Sequence, residues 1–253
     1  MTDFKTILSE FQAVSLEEID EVKLMNRIDR KYWFHISKLN QILEFTLPHY
    51  DILEINGQRL MDYQTNYFDT PENTMYLKHH NRKLNRHKVR QRQYISTGSS
   101  FLEIKLKTNK KRTIKKRIET DFDAVNFLLS EMEFIAKNSI YQGQLLLPKL
   151  NNSFKRITLI HKNKLDRCTI DFYPKFWNKQ GEIGLDNLVI FELKRGRSLK
   201  SSPIVSMLRR QKIRQRGLSK YCTGRAILEP ELKQNAFKPR LRFLYKEILK
   251  LKE

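Results

Sequence analysis

Apolar and polar residues alternate with a period of two through the middle of the chain, most clearly from Lys88 to Glu119. Lys88, Arg90 and Arg92 fall on one face of a first strand. Glu103, Lys105 and Lys107 fall on one face of a second, with Leu102, Ile104 and Leu106 opposite. Lys115, Arg117 and Glu119 share a face of a third, with Ile114 and Ile118 opposite. Side chains alternate across a strand, so the pattern predicts antiparallel strands with charge on one side and apolar packing on the other. The alternation returns at Phe154–Ile160. It returns again at Asp166–Phe172, where Arg167, Thr169 and Asp171 oppose Cys168, Ile170 and Phe172. At Val189–Lys194, Glu192 and Lys194 oppose Val189, Phe191 and Leu193. Residues 59–69 read as a further strand, and the stretch around Tyr32-Trp33-Phe34 as another, with Arg27, Asp29 and Lys31 on one side.

Helical spacing is confined to shorter stretches. Phe4, Ile7, Leu8 and Phe11 make one stripe over residues 3–13, and Ser15 with Glu18 is a capping box. Ser37 caps a helix with Leu39, Ile42 and Leu43 inward, closed by Pro48. Pro71 suits the first position of a short helix over 71–80. Asp123 is expected to cap a helix over 124–136 with Val125, Leu128, Leu129 and Met132 as its apolar stripe. Ser202-Pro203 opens a helix expected to reach Arg216, with Gly217 just past its end. Residues 239–252 are expected to form a last amphipathic helix, with Leu241, Leu244, Ile248 and Leu251 apolar, as a core cover or a partner surface, with a membrane-surface role as the third reading. No linker or repeat interrupts the pattern, so residues 1–253 are read as one domain with these terminal helices packed outside. His79-His80 makes a poor metal pair, because adjacent side chains on a helix do not face each other.

Charge changes the picture. The 253 residues carry 49 Lys+Arg against 28 Asp+Glu, a formal net charge of +21. That excess calls for an anionic partner: nucleic acid, a phosphorylated small molecule, polyphosphate or an acidic membrane surface. A hydrophobic content of 40% with 15 Phe and 10 Tyr excludes a disordered chain. Two distant cysteines, Cys168 and Cys222, suggest neither a disulfide framework nor a zinc site. No apolar run is long enough to span a bilayer, and no signal core follows Met1. A soluble cytoplasmic protein is expected, with membrane association possible through a partner.

The placement of the charge is more telling than its sum. A solvated sheet face mixes Ser, Thr, Glu and Lys, whereas one face here is almost wholly cationic over three strands. Like charges opposite one another destabilise a sheet. The expected architecture is α+β: a closed antiparallel β-barrel with a basic lumen, flanked by helices. Such a lumen must hold water and an anion, because unpaired buried charges cost several kcal/mol each. Triphosphate or polyphosphate suits a row of cations. Glu192 reads either as the salt-bridge partner of a lumen arginine or as an oxygen ligand for Mg2+ or Mn2+. A nucleic-acid binder would instead interleave aromatics with exposed cations, and the aromatics here fall mostly on apolar faces.

Taken in order, Arg30-Lys31-Tyr32, Tyr67-Phe68-Asp69-Thr70, Lys88-Val89-Arg90-Gln91-Arg92, Glu103-Ile104-Lys105 and Thr113–Arg117 resemble the VTC domain. So do Phe154-Lys155-Arg156, Asp166–Asp171, Phe191-Glu192-Leu193-Lys194 and Ser219-Lys220-Tyr221. That domain is a polyphosphate polymerase of the triphosphate tunnel metalloenzyme superfamily. The wider superfamily's N-terminal ExExK motif is absent, and Asp29-Arg30-Lys31 stands in its place. The resemblance implies a tunnel in which Lys31, Arg90, Arg92, Lys105, Lys115, Arg156, Arg167 and Lys220 hold phosphates. Arg30, Lys88, Arg117, Lys194 and Ser219 would stand beside them as further substrate contacts, and Glu192 would hold Mn2+ or Mg2+. It further implies transfer of the γ-phosphoryl of ATP to a polyphosphate end. A triphosphatase, or a module that only binds polyphosphate or nucleic acid, stands as the alternative.

Overall fold

A computed structural model describes residues 4–21, 27–110, 112–122, 126–141, 146–163, 166–196 and 202–249. Helix α1 (Phe4–Glu10), strand β1 (Ala13–Val14) and helix α2 (Leu16–Glu21) lead into β2 (Arg27–His35). Then come α3 (Leu39–Thr46), β3 (Tyr50–Leu53), β4 (Met61–Asp69), α4 (Thr74–His80), β5 (Arg86–Tyr94), β6 (Ser99–Lys107) and β7 (Thr113–Glu119). The rest is α5 (Leu129–Asn138), β8 (Leu147–His161), β9 (Asp166–Asn178), β10 (Gly181–Gly184), β11 (Leu188–Gly196), α6 (Pro203–Arg210), α7 (Lys220–Leu228) and α8 (Lys238–Phe243), which continues as a π-helical turn over Leu244–Leu249.

The strands form one 11-stranded sheet with a main path β2-β11-β9-β8-β4-β5-β6-β7. Every pairing along that path is antiparallel. The fold is thus α+β around a large antiparallel sheet. The expected closure is absent: β2 and β7 are the two ends of the path and are not paired with each other. Two facts explain the open seam. The free edge of β2 is already taken, since Tyr32 bridges Gln215 and the Arg216 N–H donates to the Lys31 carbonyl at 2.9 Å. And β7 is exposed at six of its seven residues, with Lys115, Lys116 and Arg117 along it. Charge on a free edge discourages pairing.

Helices cover the apolar faces. Leu39, Ile42 and Leu43 of α3 and Ile204 and Leu208 of α6 pack on Ile157, Leu159, Ile170, Phe172, Phe191 and Leu193. Ile135 of α5 packs with Val89, Leu102 and Ile104. Not every helix lies outside, as expected from the sequence. α7 packs with Trp33, Tyr67, Leu150, Phe176 and Ile190. Ile190 lines the same concavity as Glu192, two residues on. α7 therefore lies against the concave side of the sheet.

Helix boundaries in α4, α5 and α6 differ from the sequence expectation. Pro71 precedes α4, which starts only after Asn73 in a left-handed conformation (φ 59°). α5 starts later than expected, and Leu128, Leu129 and Met132 are exposed rather than buried; Asp123 and Val125 lie outside the described residues. α6 stops at Arg210 rather than Arg216, because Lys212 turns the chain (φ 57°) toward the β2 edge. α8 buries Leu241, Leu244 and Ile248 as expected, while Leu251 lies outside the described residues.

α7 docks closely at Gly224. A Cβ there would stand 2.6 Å from Phe176 Cδ1 and 2.8 Å from Leu150 Cδ2. Gly224→Ala gains about 1 kcal/mol of helix propensity but overpacks the interface by about 1–3 kcal/mol. Chemical denaturation should show a net loss of about 1–2 kcal/mol. A stabilised variant would mean that α7 shifts freely.

Candidate functional site

The polar faces of the strands converge on one cavity of about 1160 Å³. Its walls carry Lys31 from β2; Lys88, Arg90 and Arg92 from β5; Lys105 and Lys107 from β6; and Arg112, Lys115 and Arg117 at or in β7. Arg156 on β8, Arg167 on β9, Lys194 on β11 and Lys220 at the start of α7 complete the cations. Asp29, Glu103, Asp171 and Glu192 are the carboxylates among these walls, and Ser219 also borders the space. Of the expected site residues only Arg30 is not in the lining. It follows Asp29 and precedes Lys31 on β2, so alternation turns it to the other face.

Register explains the convergence. Lys88, Lys105 and Lys115 stand side by side across β5, β6 and β7, and Arg90, Glu103 and Arg117 form the next row. On the other wall Glu192 lies between Lys31 and Thr169, and Lys194 between Asp29 and Arg167.

Two buried carboxylates organise the cations. Glu103 accepts from Arg90 Nε at 2.7 Å and forms an ion pair with Lys115. Asp171 accepts from Arg156 through Nε at 2.5 Å and Nη2 at 2.8 Å, a two-point fork, and from the Lys220 ammonium. Burial alone raises both carboxyls, but Arg90, Arg92 and Lys115 pull Glu103, and Arg156 and Lys220 pull Asp171, well below the usual carboxylate range. Arg90 and Arg156 thus each spend donors on a carboxylate. Arg92 donates to Thr65 Oγ1 at 3.3 Å and lies over the Tyr63 and Phe154 rings.

Glu192 is held more loosely, with Lys31 Nζ at 3.7 Å. Its ion pair is thus to a lysine rather than an arginine. Burial opposes ionisation, yet Lys31, Lys194 and Lys105 bring its carboxyl down to about 2. Burial first, and neighbouring cations second, bring Lys88, Lys105, Lys115, Lys194 and Lys220 down to about 8. Glu103, Asp171 and Glu192 resist that fall. Tyr67 borders the cavity as well, and although burial raises its phenol, Arg90, Arg92 and Lys220 lower it on balance.

A second network places α7. Its cap Ser219 accepts from Cys222 N at 3.3 Å and from Lys88 Nζ at 2.7 Å. Tyr221 donates to Asp69 Oδ2 at 2.6 Å, and Asp69 also accepts from the N–H groups of Thr70, Met75 and Tyr76. Arg225, fully buried, bonds Tyr221 and Asn73 and pairs with Glu229. The N-terminus of α7, with its positive dipole end, thus borders the cationic cavity, which further favours an anion there.

Glu103, Asp171, Tyr67 and Asp69 carry structural weight that the sequence reading did not assign to them. The alternation had put Glu103 and Asp171 on the right faces. Their fixed pairing with Arg90 and Arg156 depends on cross-strand register, which alternation does not reveal.

A large antiparallel sheet thus brings its cationic faces together around one cleft of about 1160 Å³. The chain belongs to the VTC domain family, whose model matches residues 26–229. No curated protein matches it in sequence. Among solved structures it is similar to a putative adenylyl cyclase from Hippeastrum described as having a dominant triphosphatase activity. The identity is 14%, 80% of this chain and 99% of that one are covered, and the TM-score is 0.48. A putative adenylate cyclase from Vibrio parahaemolyticus is similar at 11% identity, over 77% of this chain and 94% of that one, with a TM-score of 0.46. No helix among the described residues is long and apolar enough to cross a membrane.

The lysines set a pH dependence with opposite signs for binding and stability. Their folded values near 8 lie below the ordinary 10.5. Between those two pH values the folded chain holds fewer protons than the unfolded one, so the stability of the ligand-free protein rises with pH. Over the same window the cavity loses positive charge. Tripolyphosphate affinity should fall about tenfold or more from pH 7.5 to 9.5, while denaturation shows a more stable free protein. Affinity and stability moving together would contradict the charge assignment.

Proposed function

We propose that the cavity is the active site of a phosphotransferase that moves the γ-phosphoryl group of ATP onto the end of a polyphosphate chain. The observation that carries this reading is the length of the cavity. The cavity runs along β6 from Ser99 to Lys107, nine residues or about 27 Å from first to last, with Arg167 and Lys194 on the far wall. One triphosphate does not need so long a strip, whereas a growing chain of phosphates does. In this reading the lining cations bind substrate, in the roles the family resemblance implies. The seam between β2 and β7 would leave the tunnel open along one side.

The acceptor is already an oxyanion. Its oxygen attacks the γ-phosphorus, the bond from that phosphorus to the bridging oxygen breaks, and ADP leaves with the electron pair. No proton need be removed, so no His or Ser base is required. Catalysis would rest on alignment of the two chains and on neutralising charge in the transition state. Lys31, Lys88, Lys105, Lys115 and Lys194 act as compact point charges along the chain. Lys220 and the hydroxyl of Ser219 stand at the α7 N-terminus, where the dipole favours an anion. Asp171 and Glu103 hold Arg156, Lys220, Arg90 and Lys115 in place before substrate arrives.

Glu192 fits a divalent ion shared with substrate. It is ionised, borders the cavity and has the loosest ion pair of the three inner carboxylates. Among the described residues no cluster of three or more His, Cys, Asp or Glu could hold a metal without substrate. One carboxylate plus phosphate oxygens is a donor set that Mg2+ and Mn2+ accept. When bound, either ion would neutralise charge on the phosphate oxygens.

Purified protein incubated with ATP and Mn2+ should accumulate polyphosphate visible on a stained gel, with ADP released in step. Orthophosphate as the sole product would make water the acceptor and the protein a triphosphatase. No turnover would leave a binding module. Glu192→Gln should abolish the metal-dependent turnover and leave metal-free tripolyphosphate binding in place.

A further inference from the structure

The cavity is not evenly polar. At the end where β5 turns into β6, Tyr94 pairs with Ser99 and Arg92 with Phe101. Tyr94 and Phe101 are both partly exposed and both border the cavity. Their rings meet edge to face at 5.9 Å, and Tyr94 meets Tyr63 at 5.0 Å. The guanidinium of Arg117 lies 4.4 Å over the Phe101 ring. Leu16, Leu53 and Ile55 border the same cavity from α2 and the region of β3, and Leu16 is 46% exposed.

Stacking under arginines accounts for part of this aromatic surface. Tyr63 and Phe154 are buried and stack on each other, and Arg92 and Arg156 lie over both rings. Those rings support the guanidiniums. Tyr94, Leu16, Leu53 and Ile55 have no such part in the charge network. An apolar wall in a hydrated cationic cleft gains nothing from inorganic phosphate, which has no apolar surface to bury. It gains from a planar group with apolar faces and polar edges, which stacks on aromatic rings and guanidiniums alike. The spacing suits one ligand carrying both parts. Arg92 and Arg90 precede Tyr94 by two and four residues, about 7 and 13 Å along the strand. That is the direction in which a ribose and its phosphates would extend.

We propose that Tyr94 and Phe101, with Leu16, Leu53 and Ile55 bordering the same mouth, form the subsite for the base of a nucleoside triphosphate. This rests on the phosphotransferase reading and gives it a direction. The base enters at the β5–β6 turn, and the phosphate tail points along the cavity toward Lys88, Lys105 and Lys107. The opposite mouth, rich in lysine and poor in apolar surface, then receives the polymer.

Calorimetric titration of the full chain with ATP and with inorganic tripolyphosphate, both without metal, tests it. Tyr94→Leu and Phe101→Leu keep apolar volume and remove the flat π face. Each should weaken ATP about tenfold, the equivalent of one lost stacking contact, and Tyr94→Leu, whose ring lies under no arginine in the contacts described, should change tripolyphosphate less than about twofold. Unchanged tripolyphosphate binding also shows that the variants are folded. If both variants leave ATP unaffected, or weaken the two ligands in parallel, the base subsite is overturned and the phosphate site stands. If the unaltered protein binds neither ligand, the phosphotransferase reading falls and the base subsite falls with it.

Discussion

Like-charge crowding is the constraint around which this molecule is built. Among the described residues, thirteen Lys and Arg side chains face four carboxylates across one cavity. Two of those carboxylates, Glu103 and Asp171, each bind an arginine and a lysine drawn from neighbouring elements. They relieve the repulsion only locally. Lys88, Lys105 and Lys194 have no carboxylate in such close contact among the contacts described, and burial among cations makes their protons easier to lose. The free protein therefore holds electrostatic strain, which in the proposed function a polyanion removes. Preorganised charge of this kind is worth more than the same charge in water, because nothing has to reorient when the ligand enters.

The scaffold serves that arrangement at specific points. α7 lies against the concave side through the close contact of Gly224 with Phe176 and Leu150. Asp69, Tyr221 and Arg225 tie its body to the start of α4, and its N-terminus then presents Ser219 and Lys220 to the cavity. The segment after α6 occupies the edge of β2. That leaves the sheet open beside β7, where the most exposed cations stand. An open seam lets water and ions reach the lysines. It also keeps Lys115 partly accessible, with 43% of its side chain exposed despite its pairing with Glu103.

Much of this was legible in the alternation. The faces of β5, β6, β7, β9 and β11 follow from period two alone, and with them most of the cations that line the cavity. Arg30 was misplaced because the Arg30-Lys31-Tyr32 motif was taken whole, against the alternation that separates Arg30 from Lys31. Closure could not be read, since it depends on what else takes the edge of β2, and the segment near Gln215 looked helical. The apolar stripe of α5 was assigned inward because Leu128, Leu129 and Met132 are hydrophobic, yet the structure exposes them. Glu103 and Asp171 were seen as charges on a face and not as clamps. Telling a clamp from a solvated carboxylate requires the partner across the strand. The aromatic wall at Tyr94 and Phe101 was likewise hidden, because single aromatics on a charged face look like core residues in sequence.

The central claim is that the crowded cations are tolerated because a chain of phosphates neutralises them. Thermal unfolding at low ionic strength, with and without tripolyphosphate, tests it most directly. Tripolyphosphate at about a hundredfold excess over its Kd should raise Tm by roughly 5–10 °C. The rise should shrink as salt is added, and a single-stranded oligonucleotide of equal charge should produce little of it. An unchanged Tm, or equal stabilisation by the oligonucleotide, would contradict the account.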